Sequence, residues 1–182
     1  DRKDKRVLVT GATGYIGRHL VRKLLMDGRE VHALVLKFDD PQKIKDLKHF
    51  KKISGRLIIH RYDGKTRTVL SILRRARPDI VFHLAAKVCV DHGPDDLEPI
   101  VNANILLGVQ LLEGMFQLGL RYFINTVTFW QHSKGKTYDP VNLYAASKQA
   151  FEDILRFYTE TDKICAITLK LFDVYGPNDP RN

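Results

Sequence analysis

The stretch RVLVTGATGYIG, residues 6–17, decides the fold. A short β-branched run, RVLVT, leads directly into a loop with Gly11, Gly14 and Gly17 three apart, and a helical pattern follows from residue 15. Such a turn needs glycine in three places. The chain must turn tightly after the strand, a ligand must reach the backbone with no Cβ in the way, and the helix must lie close on the strand. The N–H groups left open at the helix start then suit an anion. A Gly-rich loop can exist without a ligand, but three glycines in register at the front of a β-α-β unit favour a dinucleotide cradle. The spacing is G-x-x-G-x-x-G, not the G-x-G-x-x-G of the common dehydrogenase fingerprint.

Outward from this turn, strand-like and helical patterns alternate. Strand candidates are residues 6–10, 30–36, 56–62, 79–85, 121–126 and 165–172. They are nearly continuous apolar runs, as expected of strands buried on both faces of a parallel sheet. Helical candidates fall at 15–27, 41–50, 66–76, 95–118 and 141–160. This alternation predicts an α/β doubly wound parallel sheet with right-handed crossovers.

The chain has 182 residues, enough for one domain with a full core. No apolar run reads as a membrane span, and the first residues do not read as a signal peptide. Cys89 and Cys165 have no metal or redox spacing and sit among apolar residues. They read as buried free thiols in a reducing, cytoplasmic setting. The net charge is +9, and residues 41–77 carry twelve Lys or Arg against Asp46 and Asp63 alone. Without a nucleic-acid motif or an aromatic ladder, that excess reads as a solvated face or an attraction for a small polyanion rather than for nucleic acid.

The stretch NLYAASK, residues 142–148, places Tyr144 four residues before Lys148. A pair at that spacing shares one helix face. With seven tyrosines and many lysines in the chain, the spacing alone carries little. Its weight comes from the other stretches. TGATGYIG, RYDG (61–64), VFHLAA (81–86), NTVTFWQ (125–131), YAASK and YGPNDPR (175–181), in this order, resemble the short-chain dehydrogenase/reductase superfamily. The likeness is to its extended branch of nucleotide-sugar epimerases, dehydratases and ketoreductases. A narrower resemblance points to enzymes making 3,6-dideoxy- and 6-deoxy-sugar nucleotides.

The resemblance implies a Rossmann fold with strand order 3-2-1-4-5-6 and an NAD(P) cofactor. It implies cofactor contacts from Gly11, Thr13, Gly14, Tyr15, Ile16, Gly17, Lys37, Asp63, Gly64, Leu84, Ala85, Ala86 and Lys148. Asp63 would meet the adenine amino group. It also implies a catalytic set of Tyr144, Lys148 and Thr126, with Thr128 competing for the hydroxyl role. The Lys148 charge and the positive nicotinamide ring of the cofactor would together lower the phenol pKa. Asn102 and Asn104 are equal candidates for a polar role on the fourth helix. The substrate would be a nucleotide-diphosphate sugar. The branch's 4,6-dehydratases carry Asp-Glu after the catalytic Thr; here Val127-Thr128 follows, so ketone reduction or epimerisation is expected.

NAD users place an acid at the end of the second strand. Val35 and Leu36 stand there, followed by Lys37, so NADP is favoured over NAD, although Asp39 or Asp40 could fold back. The resemblance implies that residues 1–182 are the cofactor domain of a longer protein whose substrate domain is absent from this chain. The resemblance also implies that helices 95–118 and 141–160, with Phe116, Phe151 and Phe157 beyond one apolar stripe, pair with their copies in a homodimer. The alternative is a non-catalytic dinucleotide-binding module.

Overall fold

The structure, a computed structural model, describes residues 6–36, 39–53, 55–161 and 163–179. Six strands, β1 (Arg6–Thr10), β2 (Glu30–Leu36), β3 (Arg56–Tyr62), β4 (Ile80–His83), β5 (Tyr122–Thr128) and β6 (Cys165–Leu171), form one sheet. Its order is β3-β2-β1-β4-β5-β6, with every pairing parallel. The expected order is therefore the observed one.

The helices cover both faces. α1 (Tyr15–Met26) and α2 (Pro41–His49) lie on one side, where Val21, Leu25, Ile44 and Leu47 meet Val7, Val9, Val31 and Val35. α3 (Thr66–Ala76), α5 (Leu107–Leu118) and α6 (Leu143–Thr159) lie on the other, where Ile72, Leu73, Leu111 and Phe151 meet Leu8, Leu34, Val81 and Phe123. Successive strand residues point to opposite faces. That is why β1 and β2 read as unbroken apolar runs: Val7 and Val9 serve one core, Leu8 the other.

The fourth helical stretch is not one regular helix. A short turn, Pro94–Asp96, precedes α4 (Leu97–Val101); a π-type turn, Asn102–Leu106, then leads into α5. Against the sequence expectation, Pro94–Leu118 is long and apolar enough to cross a membrane by composition. Half of it is buried, and α5 packs on α3 and α6 as a core helix does. β5 runs two residues past its expected end, which places Thr126 within the strand and Thr128 at its tip.

The thiols correct the sequence reading. Both are free, but Cys165 is exposed and Cys89 half-buried. Cys165 opens β6, an edge strand most of whose residues are exposed, and Cys89 lies in the loop after β4. The aromatic expectation is also divided. Phe151 is fully buried in this chain's own core, Phe116 packs edge-on to Tyr158, and Phe157 stays 64% exposed.

α5 and α6 approach closely at Gly108. A Cβ there would lie 2.2 Å from Phe151 Cε2, inside a ring packed against His83 and Phe123. Gly108→Ala should therefore cost about 1–3 kcal/mol through overpacking. Combined with Phe151→Leu, the two changes should cost less than their sum, because the smaller side chain makes room for the methyl. Urea unfolding of the four proteins measures both; strict additivity would show that this contact does not set the helix spacing.

Candidate functional site

The sheet order reverses between β1 and β4, and the crevice at the carboxyl ends of strands at such a point is where ligands bind in open α/β sheets. A cleft opens there with two lobes of about 540 Å³ and about 400 Å³, which share Gly11, Gly14, Leu84 and Ala86. All the expected site residues except Lys37 line one lobe or both. Lys37 lies outside the described residues, as do Pro180, Arg181 and Asn182.

The waist of the cleft is the turn from β1 to α1. Gly11 has φ +65°, and a Cβ there would lie 2.7 Å from Ala85 N, against the chain leaving β4. A Cβ on Gly17 would lie 2.0 Å from the Gly11 carbonyl oxygen, so the helix can sit on the turn only without one. Gly14 differs: the one neighbour its Cβ would meet is Gly11 O at 3.2 Å. Gly14 also caps α1 with no side chain bonded to the first turn. The backbone N–H groups of that turn stand beside the cleft, an arrangement suited to an anion.

The larger lobe runs from this waist past Val35, Leu36, Asp63 and Gly64. A buried polar anchor holds its far wall. Tyr62 Oη donates to Gln110 Oε1 at 2.6 Å, and Gln110 Nε2 donates to Gly64 O and Thr66 Oγ1 at 3.2 and 3.1 Å. The Asp63 carboxylate accepts from Lys65 N at 3.1 Å. A side-chain hydrogen bond from Thr68 holds its pKa below the usual carboxylate value. Asp39 enters from the α2 side: Thr13 Oγ1 donates to its Oδ2 at 2.6 Å, and it lines the same lobe.

The smaller lobe brings together Thr126, Thr128, Tyr144 and Lys148. Asn142 caps α6 by accepting from Ala145 N at 2.9 Å, which starts the helix immediately before Tyr144. Tyr144 and Lys148 then share one face. Trp130 packs edge-on against the Tyr144 ring, with centroids 6.3 Å apart. The Lys148 side chain is 1% exposed, and its Nζ has no hydrogen-bond partner among the described residues. Burial pulls its pKa down to about 8, a fall that Glu152 partly offsets. In the protein itself, burial raises the pKa of the Tyr144 phenol; the expected lowering counted the nicotinamide charge as well as Lys148. Desolvation of the phenolate is the cause.

The two threonines lie two apart on one face of β5 but are engaged differently. Thr126 Oγ1 donates to His83 O at 3.1 Å. Thr128 Oγ1 accepts from Trp130 N at 3.2 Å. The hydrogen of Thr126 is thus committed to β4, while Thr128 uses its oxygen and, among the described residues, has no acceptor for its hydrogen. Beneath them His83 is fully buried and pushed down to about 3 by burial and the nearby Lys148 charge, so its ring is neutral. Ala85 N donates to Thr10 Oγ1 at 3.1 Å, and the Thr10 hydroxyl meets His83 Nδ1 at 2.9 Å.

The structure separates Asn102 from Asn104. Asn104 is fully buried in the π-type turn. It accepts from Lys87 N at 2.8 Å and donates to Lys87 O at 3.1 Å and to Ser147 Oγ at 2.8 Å. It thereby ties the loop after β4 to α6, next to Lys148. An amide inside an apolar helical run was its sequence signal, shared by Asn102, which is exposed. Gln131 and Asp179 gave no such signal, yet the first is fully buried behind the lobe and the second lines it.

Comparison with known proteins adds a family to this geometry. The chain is 28% identical over 179 residues to CDP-abequose synthase of Salmonella muenchen, covering 97% of this chain and 55% of that protein. It is 29% identical over 185 residues to UDP-glucose 4-epimerase of Mycolicibacterium smegmatis, covering 96% and 58%. Among solved structures, the UDP-glucose 4-epimerase of Thermus thermophilus in complex with NAD superimposes with TM-score 0.79 at 31% identity, over 96% of this chain and 58% of that one. The UDP-glucuronic acid 4-epimerase of Bacillus cereus in complex with NAD gives TM-score 0.80 at 29% identity, over 95% and 58%. The chain thus spans about half the length of the relatives it matches. The NAD dependent epimerase/dehydratase family matches residues 7–182, the whole sheet and both lobes of the cleft, and the chain belongs to that family.

Proposed function

We propose that residues 1–182 form the cofactor domain of an enzyme that moves hydride at a carbon of a nucleotide-diphosphate sugar, as a ketoreductase or an epimerase. One observation carries this reading: Tyr144, Lys148 and the two threonines converge on a lobe continuous with the glycine cradle. The names of the relatives, CDP-abequose synthase and UDP-sugar 4-epimerases, supply the substrate class.

The residues present fit a dinucleotide. Gly14 opens on the cleft where a Cβ would intrude on a phosphate, and the first turn of α1 has no side-chain cap. Lys148 buries an ammonium with no hydrogen-bond partner among the described residues at the lobe wall, which suits the hydroxyls of a ribose. Gly11, Thr13, Gly14, Tyr15, Ile16 and Gly17 would hold the pyrophosphate region, and Asp63, Gly64, Leu84, Ala85 and Ala86 the adenosine half. When bound, a nicotinamide cofactor supplies the hydride acceptor or donor.

The chain's own residues supply the proton. With its pKa raised, Tyr144 keeps its phenolic hydrogen at neutral pH and is set to donate it to a sugar carbonyl oxygen. Running the other way, it accepts the hydrogen of a sugar hydroxyl. The charge of Lys148 stabilises the phenolate left after donation. A threonine hydroxyl orients the same sugar oxygen. The resemblance selects Thr126, and the uncommitted hydrogen selects Thr128.

The cofactor type turns on Asp39. The expectation of NADP rested on the lack of an acid at the end of β2. Asp39 brings a carboxylate to the cradle through Thr13, beside Val35 and Leu36. A carboxylate there accepts from ribose hydroxyls and repels a 2′-phosphate. We therefore take NAD as preferred. Leu97 and Val101 on α4 and Phe157 on α6 stay exposed and support pairing of two chains. The two free thiols suit a reducing cytoplasm.

Gly14→Val should abolish NADH binding, measured by fluorescence titration, while its thermal unfolding stays close to wild type. Gly17→Ala should lower the unfolding temperature itself. Wild-type affinity in the Gly14 variant would sink the cradle. NADH should bind more tightly than NADPH, and Asp39→Ser should narrow the gap by about tenfold; tighter NADPH binding by wild type would restore the sequence expectation. In a preparation that turns over a nucleotide sugar, Tyr144→Phe should cost about 10²–10⁴ in kcat at unchanged NADH affinity. The larger loss between Thr126→Val and Thr128→Val identifies the orienting hydroxyl.

A further inference from the structure

Gln131 lies just beyond β5 in the short turn Phe129–Gln131, and it is fully buried. All of its polar capacity points inward. Its Oε1 accepts from Thr128 N at 3.1 Å. Its Nε2 donates to Gln149 Oε1 at 2.8 Å and to Glu152 Oε2 at 2.6 Å. The last contact is short, as expected when an N–H meets a carboxylate. One side chain therefore spans from the backbone of the hydroxyl strand to two residues of the helix that carries Tyr144 and Lys148. Glu152 stands one turn after Lys148, at the spacing at which helix neighbours interact.

We propose that Gln131 is a positioning residue: it clamps the Thr128 end of β5 to α6 and fixes the Glu152 carboxylate one helical turn from Lys148. The reading rests on the proposed role of Lys148 and goes beyond it by assigning what keeps that ammonium charged in a buried place. Among the described residues, the other titratable or charged groups around Lys148 are few. They are Tyr144 on its own helix, neutral His83 on β4, and Tyr15, Asp173 and Asp179 around the lobe. Thr126, Val127 and Thr128 of β5 bring no charge. Burial alone takes Lys148 toward its neutral form, and Glu152 opposes it.

An amide is the group this place requires. A carboxylate at 131 would face Glu152 with like charge. A thioether would leave Thr128 N–H without its acceptor and Glu152 without its donor, at a cost in buried polar groups. A residue that merely caps a turn would affect stability and leave the titration of Lys148 unmoved.

The test follows Lys148 directly, by NMR of protein labelled with ¹³C-lysine, the resonance assigned through Lys148→Met. Glu152→Gln keeps the volume and can still accept from Gln131, so it removes charge with the least disturbance. Gln131→Met removes the clamp. Each should lower the Lys148 titration by about one pH unit, and the double variant should lower it no further. In parallel, NADH affinity should fall about fivefold at pH 8 and stay near wild type at pH 6, since only the charged fraction changes. An unmoved Lys148 titration in a folded Gln131→Met protein overturns the proposal. If that variant does not fold, an unmoved titration in Glu152→Gln overturns it. A titration that moves while NADH affinity ignores pH upholds the clamp and overturns the cofactor reading instead.

Discussion

The contact between Gly17 and the carbonyl of Gly11 governs this molecule. A methyl group at 17 would overlap that oxygen, so α1 can lie on the end of β1 only because glycine is there. The same turn pushes Gly11 against the backbone of Leu84 and Ala85. β1, α1 and the end of β4 are thereby locked together at the point where the sheet order reverses. The cleft is what remains open beside that lock. Moving the helix outward by the width of a methyl would open a gap in the core of Val21 and Leu25 and displace the open N–H groups of the first turn.

A second constraint is the burial of Lys148. An ammonium deep in a protein costs free energy unless it is paired. Among the described residues no hydrogen-bond acceptor is supplied to its Nζ; a carboxylate one turn away supplies charge without direct contact. The surroundings are built to hold this arrangement. Asn104 ties the β4 loop to Ser147, and Gln131 ties β5 to Gln149 and Glu152, one on each side of Lys148. Stability given up at one side chain in this way is common where a group must act on a ligand.

The sequence made some residues legible and hid others for physical reasons. Gly11, Gly14 and Gly17 were readable because a strand-to-helix turn imposes steric demands that few other residues meet. Tyr144 and Lys148 were readable through helical spacing and the company of other stretches. Asp39 was readable only as one of two acids that could fold back, because its carboxylate reaches the cradle through a loop geometry that no local pattern encodes. Gln131 was not, because a buried amide and a surface amide look alike in a string of letters. The burial that raises the Tyr144 pKa was not readable either, because desolvation depends on everything packed around the ring.

The sequence alone determined the alternation of strands and helices, the parallel sheet and the glycine turn, because each follows from local periodicity, steric exclusion and the handedness of crossovers. The order of the strands came with the family resemblance that its motifs carry. Tertiary structure alone decided which polar groups lose water. It buried Asn104 and left Asn102 exposed, committed the hydrogen of Thr126 to β4 while Thr128 accepts from Trp130, and tied Glu152 to the end of β5 through Gln131. Those outcomes depend on contacts between residues far apart in the chain, and the free energy of a buried charge or hydrogen bond is fixed only once those contacts exist.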